Sequence, residues 1–329
     1  MTAPVVLTFR PDEDQRQAIR PILAPFGGIN YLADAGEDPD ARATMLKAAK
    51  AIITWVPSRE LSQQDLAALG GVELIQLLSA GADHIDFAAL PRQAKVAGNV
   101  GAYAGPMAEH VLAMALALAK RLPQNHAKLA SGVFDHFETL WLRGGTAGIL
   151  GYGGIGRASA RLLRAIGMRI YAINSSGQAD EGADQAGTLA DLDDMLAGSD
   201  VVVVALPLTR TTRGLIGARE LSLMKPAAIL VNVARGAIVD EDALYEHLRT
   251  HPDFCAGIDT WWQEPRGGQP FHTRLPFFTL PNLLGSPHNS GTVPGIDAAS
   301  AADAARNVAA YLGGGPVRGI QDPADYQPT

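Results

Sequence analysis

One cysteine in 329 residues, Cys255, rules out an internal disulfide, and its place in the apolar run FCAGI reads as a buried thiol suited to a reducing compartment. Basic charge is also short. The 27 Lys and Arg face 34 Asp and Glu, and the formal charge of −7 argues against nucleic acid or an anionic membrane as partner. A local basic pocket for a small anion remains compatible with that balance. Long hydrophobic runs are missing too. The longest, VLAMALALA at 111–119, follows Glu109 and His110 and precedes Lys120 and Arg121. A bilayer span needs about 20 apolar residues, so a buried helix is expected there and no membrane. The N-terminal MTAPVVLTFRPDE has no basic region ahead of its apolar strand. No signal peptide is therefore expected, and the chain reads as cytoplasmic. Nor is there an internal repeat or an extended low-complexity tract, and no metal is expected.

What is present is core material: 47% of the residues are hydrophobic and 19% charged, and the length calls for two domains. Short apolar runs alternate with helix-period segments, the pattern of an α/β fold with parallel sheets. Strands are expected at VVLTF (5–9), AIITWV (51–56) and ELIQLL (73–78), with a helix at LSQQDLAAL (61–69). A second block opens with a helix over 106–122 and continues through TAGIL to RIYAI (169–173), DVVVVAL (200–206), AILVNV (228–233), FCAGID (254–259) and LLGSP (283–287). These six strands make one doubly wound sheet. The Ala-rich 297–312 is expected to be a helix that returns to the first block. The expected domains are residues 1–98 with 289–329, and residues 99–288.

After TAGIL come Gly151, Gly153 and Gly156, and then an amphipathic helix. Glycines at this spacing permit a tight turn, close approach of a pyrophosphate and close packing of helix on strand, and the helix N-terminus favours phosphate. The next strand ends at Ile173, where an acid would grip the ribose of NAD. INSSG stands there instead. Asn174, Ser175 and Ser176 carry no charge to repel a 2′-phosphate, and the serines and their amides can donate to it. NADP(H) is therefore the preferred cofactor, with NAD(H) possible. No Arg or Lys follows directly; Arg157 is the nearest candidate in sequence.

Three more segments fall at strand C-termini, where open α/β sheets bind ligands. They supply Arg235, then Asp259 and Glu264, then His288. Arginine suits a carboxylate, and a histidine with a carboxylate orienter suits proton transfer near neutral pH.

LLSAGADHID (77–86), NVGAYAGPMAEH (99–110), PLTRTTRGLI (207–216), LMKPAAILVNVARGAIVDEDAL (223–244) and YLGGGPVRGI (311–320) together resemble the D-isomer-specific 2-hydroxyacid dehydrogenase family over nearly the whole chain. The resemblance implies a Rossmann dinucleotide domain and a smaller, discontinuous, flavodoxin-like substrate domain. It implies reversible reduction of a small 2-keto acid of the glyoxylate or hydroxypyruvate kind to the D-2-hydroxy acid. In that reading His288 is the general acid/base, Glu264 orients it, and Arg235 binds carboxylate and carbonyl. Trp55, Ala80 and Gly81 are implied substrate contacts. Met107, Tyr152, Gly154, Ile155, Leu206, Pro207, Thr212, Val233, Ala234, Asp259 and Gly291 join the glycine loop, Arg235 and His288 about the cofactor, Asp259 near the nicotinamide. A homodimer is also implied, as are hinges near Gly98 and His288.

Alternatives stay open. An aryl 2-keto acid such as phenylpyruvate would suit an aromatic rim built from Trp55, Trp261 or Trp262, although packing is the plainer role for the last two. Trp141 resembles a position that reaches a partner's site in some dimers. A non-catalytic NAD(H)-sensing, corepressor-like protein and a phosphite-oxidising enzyme share the family pattern. Glu264 stands where formate dehydrogenases have Gln. Phosphoglycerate is disfavoured as substrate because no regulatory domain follows residue 329.

Overall fold

The computed structural model describes residues 4–179, 182–265 and 267–326. The chain divides into two compact units, Met1–Tyr103 with Val293–Thr329, and Ala104–Thr292.

In the first unit the strands are β1 (Val5–Leu7), β2 (Asn30–Tyr31), β3 (Ala51–Thr54), β4 (Leu74–Leu77) and β5 (Lys95–Ala97). All pair in parallel, in the order β2-β1-β3-β4-β5, which is the flavodoxin-like winding. The helix Glu13–Leu23 starts at a capping box between Asp12 and Gln15. It packs with the C-terminal helix Ile296–Leu312 on one face of the sheet. In that helix Ala301, Ala304, Ala305 and Val308 follow the 3.6-residue period and are buried against Val5, Leu7, Ile19 and Leu23. Alanines suit this position because their small side chains let the helices come close. Asn307, on the same helix, donates to the Oε1 of buried Gln76 at 2.7 Å, tying the returning segment to β4. Pattern reading finds β1, β3 and β4 but not β2 and β5, whose two and three residues are too few to show a period.

The second unit holds β6 (Thr146–Leu150), β7 (Arg169–Ile173), β8 (Gln185–Gly187), β9 (Val201–Val204), β10 (Ile229–Asn232), β11 (Cys255–Ile258) and β12 (Leu283–Gly285). Their order is β12-β11-β10-β9-β6-β7-β8, all parallel. The sheet thus has seven strands rather than six. The extra one, β8, is the short and partly exposed QAG at one edge. Val201–Val204 are wholly buried, because helices cover both faces of a parallel sheet and an unbroken apolar run is then favoured. Winding reverses between β6 and β9, so their C-terminal ends define the crevice where such sheets bind ligands.

The helix expected over 106–122 is Ala104–Ala119, and a separate helix, Leu122–Ala130, follows it. Arg121 takes a left-handed φ of 49° between them and Pro123 opens the second, which breaks the continuous ladder. Cys255 lies buried in β11, and burial pushes its thiol pKa up, as for an inert core residue. Among the described residues no helix is long and apolar enough to cross a membrane.

Candidate active site

The glycine loop lies at the end of β6. Gly151 has φ 102°, and a Cβ there would stand 2.7 Å from the main chain of Ala205, at the end of neighbouring β9. Gly156 faces the Gly151 carbonyl with no room for a side chain. Gly153 differs: nothing lies within 4 Å of its would-be Cβ, so its backbone borders open space. Gly153 is also the N-cap of the helix Gly154–Ala165, and no side chain caps that end. Free N–H groups and the positive end of the helix dipole are therefore presented to that space. Tyr152 is buried; the Arg157 Nε donates to its carbonyl at 3.2 Å, and the guanidinium lies 5.2 Å from its ring centre.

At the end of β7, Asn174 is occupied by its own turn. Its Oδ1 accepts from the Ser176 amide and hydroxyl, both at 2.9 Å, and its Nδ2 donates to the Gln178 carbonyl at 2.6 Å. Ser175 is exposed at the tip of that turn. Thr212 is likewise engaged locally, donating to the Pro207 carbonyl at 2.6 Å and accepting from the Thr209 amide at 2.8 Å. Val233 and Ala234 are buried, Met107 packs against the sheet's core, and Ile155 does the same beside the glycine loop. Leu206, Pro207 and Gly291 lie at or near the surface of this unit.

Arg235 follows β10. The buried Asn232 shapes this turn, accepting from the Ala234 amide at 3.0 Å and donating to the Arg235 carbonyl at 2.9 Å. The Arg235 Nη1 donates to the Ala234 carbonyl at 2.8 Å. Gly236 then passes so near Trp261 that a Cβ would stand 2.5 Å from its carbonyl carbon. This close approach brings the Arg235 turn against the 261–264 loop.

There the Glu264 Oε1 accepts from the Trp261 amide at 3.1 Å, and its Oε2 meets the His288 Nδ1 at 2.9 Å. Burial raises the Glu264 pKa. Hydrogen bonds from His288 and the Trp261 amide, with the charges of His288 and Arg235, outweigh that and hold it below the usual carboxylate range. An ionised carboxylate only accepts, so the His288 Nδ1 carries the hydrogen and Nε2 is left for proton exchange. Arg235, Glu264 and His288 are thus brought together by the ends of β10, β11 and β12.

Asp259 is fully buried and faces the loop that carries His288. Its Oδ1 accepts from the Ser286 hydroxyl at 2.5 Å and the Asn289 amide at 3.1 Å, and its Oδ2 from the Ser290 amide at 3.2 Å. Burial raises its pKa, but the Ser286 and Ser290 hydrogen bonds and nearby His110 lower it overall. In this structure the carboxylate is spent on that loop, which is the role pattern reading did not foresee for it. Pattern reading also missed His110, whose Nε2 lies 2.9 Å from the Ser286 Oγ, and Ser286 itself. A lone histidine at the head of an apolar helix was the available signal. The buried hydroxyl of Thr260 has no hydrogen-bond partner among the described residues. The open face at Gly153 and the uncapped helix end suit a bound phosphate group.

Trp261 and Trp262 pack in an aromatic group with Phe271, Phe277 and Phe278. Their indole N–H groups donate to the carbonyls of Ser286 (2.9 Å) and Val239 (2.7 Å), so both brace the loops around Glu264. Trp141 is 77% exposed.

In the first unit, Trp55 meets Phe9 edge-on with ring centres 6.4 Å apart. The Glu60 carboxylate accepts from the Trp55 and Val56 amides at 3.0 and 2.7 Å and so fixes the loop after β3. Ala80 and Gly81 follow β4, where the Ser79 hydroxyl donates to the Gly81 carbonyl at 2.9 Å. Gly98 has no room for a side chain, because the Ala80 carbonyl fills that place.

Residues 112–290, more than half of the chain, match the NAD-binding domain of the D-isomer-specific 2-hydroxyacid dehydrogenases. The chain belongs to the D-isomer-specific 2-hydroxyacid dehydrogenase family. It is 32% identical over 273 residues to a D-3-phosphoglycerate dehydrogenase of Archaeoglobus fulgidus, covering 79% of this chain and 50% of that protein. It is 34% identical over 216 residues to a glyoxylate reductase of Thermococcus gammatolerans, covering 63% of each. The chain thus spans about half to under two thirds of the length of these two relatives. A D-isomer-specific 2-hydroxyacid dehydrogenase from Xanthobacter autotrophicus Py2, solved with NADPH and MES, superposes with a TM-score of 0.79 at 26% identity over 99% of this chain and 100% of that one.

Proposed function

We propose that this protein reduces a small 2-keto acid, of the glyoxylate or hydroxypyruvate kind, to the D-2-hydroxy acid with NAD(P)H, reversibly. The His288–Glu264 contact of 2.9 Å beside the Arg235 turn carries this reading. A bound nicotinamide supplies or takes up the hydride. His288, held by Glu264 through Nδ1, gives a proton from Nε2 to the carbonyl oxygen in reduction and takes it back in oxidation. Arg235 binds the carboxylate and draws charge toward the developing alkoxide. The uncapped helix at Gly153 holds the pyrophosphate. In the other unit the loops carrying Trp55, Ala80 and Gly81 hold the substrate, which makes residues 1–98 and 289–329 the substrate domain and 99–288 the cofactor domain.

NADP(H) is the cofactor we favour, with NAD(H) as alternative. No acid stands in Asn174–Ser176, and Asn174 shapes a turn whose serine hydroxyls and amides suit a 2′-phosphate. A relative of the same fold binds NADPH. The protein works as a cytoplasmic homodimer in this reading.

The test follows absorbance of NADPH and NADH side by side with glyoxylate, hydroxypyruvate, pyruvate and phenylpyruvate. Turnover of a small keto acid with NADPH well ahead of NADH is expected. Reduction of phenylpyruvate alone overturns the substrate reading, NADH preference overturns the cofactor reading, and tight cofactor binding with no turnover overturns both in favour of a sensor.

A further inference from the structure

His110 has no part in the reaction just described, yet its imidazole ends a hydrogen-bonded chain that leads to the main chain of His288. We propose that His110 is a positioning residue for His288, acting through Ser286 and Asp259; its catalytic consequence rests on the reductase reading above.

The direction of the chain follows from counting protons. The Asp259 carboxylate can only accept, and Ser286 has a single hydrogen, which it gives to Oδ1 at 2.5 Å. The Ser286 Oγ therefore accepts from His110, 2.9 Å away, and the His110 Nε2 must carry a hydrogen. No reversed arrangement satisfies the same contacts while Asp259 is ionised.

Everything at the far end of this chain belongs to the catalytic loop. The Asp259 carboxylate takes the amides of Asn289 and Ser290, and its main-chain carbonyl takes the His288 amide at 2.9 Å. Three successive amides thus hang on one buried aspartate. His288 itself has φ 51°, a left-handed conformation that a residue with a side chain keeps only where its surroundings hold it. The bonds to Asp259 are what impose it here.

His110 is itself firmly placed. His110, Met114 and Leu118 are spaced by four on the helix Ala104–Ala119 and share a face. That face lies on β11, where Gly257 leaves room for Met114: a Cβ on Gly257 would stand 3.0 Å from its sulfur and 3.4 Å from Leu118. The helix therefore carries His110 to the C-terminal end of β11, 3.8 Å from Asp259.

The test compares His110→Leu, Ser286→Ala and Ser286→Thr with the natural chain, by amide hydrogen exchange and steady-state kinetics with glyoxylate and NADPH. In H110L and S286A, exchange at Asn289 and Ser290 should quicken about tenfold or more, while Val201–Val204 stay protected. In the same variants kcat should fall about tenfold to hundredfold with KM and cofactor Kd within about twofold, since misplacing a proton donor slows chemistry more than binding. S286T, which restores the hydroxyl, should behave as the natural chain. Unchanged exchange and kcat in both variants overturns the proposal. So does S286T as impaired as S286A, or protection lost equally from Val201–Val204. If the natural chain reduces no keto acid, the reductase reading fails by itself, and hydrogen exchange still decides whether His110 and Ser286 hold the loop.

Discussion

The Nδ1 of His288 and the Oε2 of Glu264 stand 2.9 Å apart although 24 residues separate them in the chain. Neither holds its place alone. Glu264 is braced by the Trp261 amide, and His288 by the carbonyl of Asp259. Replacing Glu264 by Gln keeps the shape but removes the carboxylate charge beside the His288 Nδ1. The reductive kcat should then fall by about tenfold to hundredfold, against about 10²–10⁴ for His288→Ala, with the fold retained in both. Rapid-mix kinetics with circular dichroism as the fold control checks it; equal activity in E264Q would mean the pair is only structural.

The glycine loop separates strain from binding. Gly151→Ala must carry a φ of 102° and push on Ala205, so it should lower stability by about 1–3 kcal/mol. Gly153→Ala meets no protein atom and should unfold like the natural chain, yet weaken nucleotide binding by filling the space at the helix end. Thermal melts and cofactor titration read the two effects independently.

Cofactor preference hangs on the turn at Asn174. Asn174→Asp keeps the acceptor for Ser176 and adds a negative charge that repels a 2′-phosphate. The ratio of kcat/KM for NADPH over NADH should drop by about tenfold or more, equivalent to ~1.4 kcal/mol. An unchanged ratio would place the phosphate elsewhere.

His247 provides a pH-dependent term far from chemistry. Its ring is stacked on His251 with centres 4.1 Å apart and set edge-on to Phe254, and burial with the neighbouring imidazole pushes its pKa down to about 4. The unfolded chain titrates this group near ~6.5 and so binds more protons between these values. Stability contributed here is complete above about 6.5 and falls as pH drops toward about 4. The urea midpoint should therefore be lower at about pH 5 than at about pH 7.5, and His247→Phe should flatten that difference. A midpoint difference unaltered in H247F would assign the dependence to other groups.

Two lowered carboxylates act at the acid end. The pKa values of both Asp259 and Glu264 lie below their ordinary values in the folded chain. For such groups the stabilisation is present above the unfolded pKa and is lost as pH falls through the folded one. Asp259→Asn should thus lose stability at neutral pH and lose less than the natural chain on acidification, measured by denaturant unfolding across that range.

Much of this protein is local, and the sequence alone determines it. The valine run of β9, the glycine spacing after β6 and the alanine period of the C-terminal helix each declare themselves within a few residues, because burial and backbone conformation select side chains at short range. Arg235, Glu264 and His288 are each singled out in the sequence by strand-end position and family pattern, but their meeting is made by three separate strand ends. The two- and three-residue strands β2, β5 and β8 stay hidden, since their pairing comes from the sheet beside them and not from their own period. The break at Arg121 lies inside a helical pattern and emerges only when the chain turns. Asp259, Ser286 and His110 belong to three separate segments, and no periodicity links them. Only the tertiary structure decides that they form one chain of hydrogen bonds, because a buried carboxylate must find its donors wherever the packed elements deliver them.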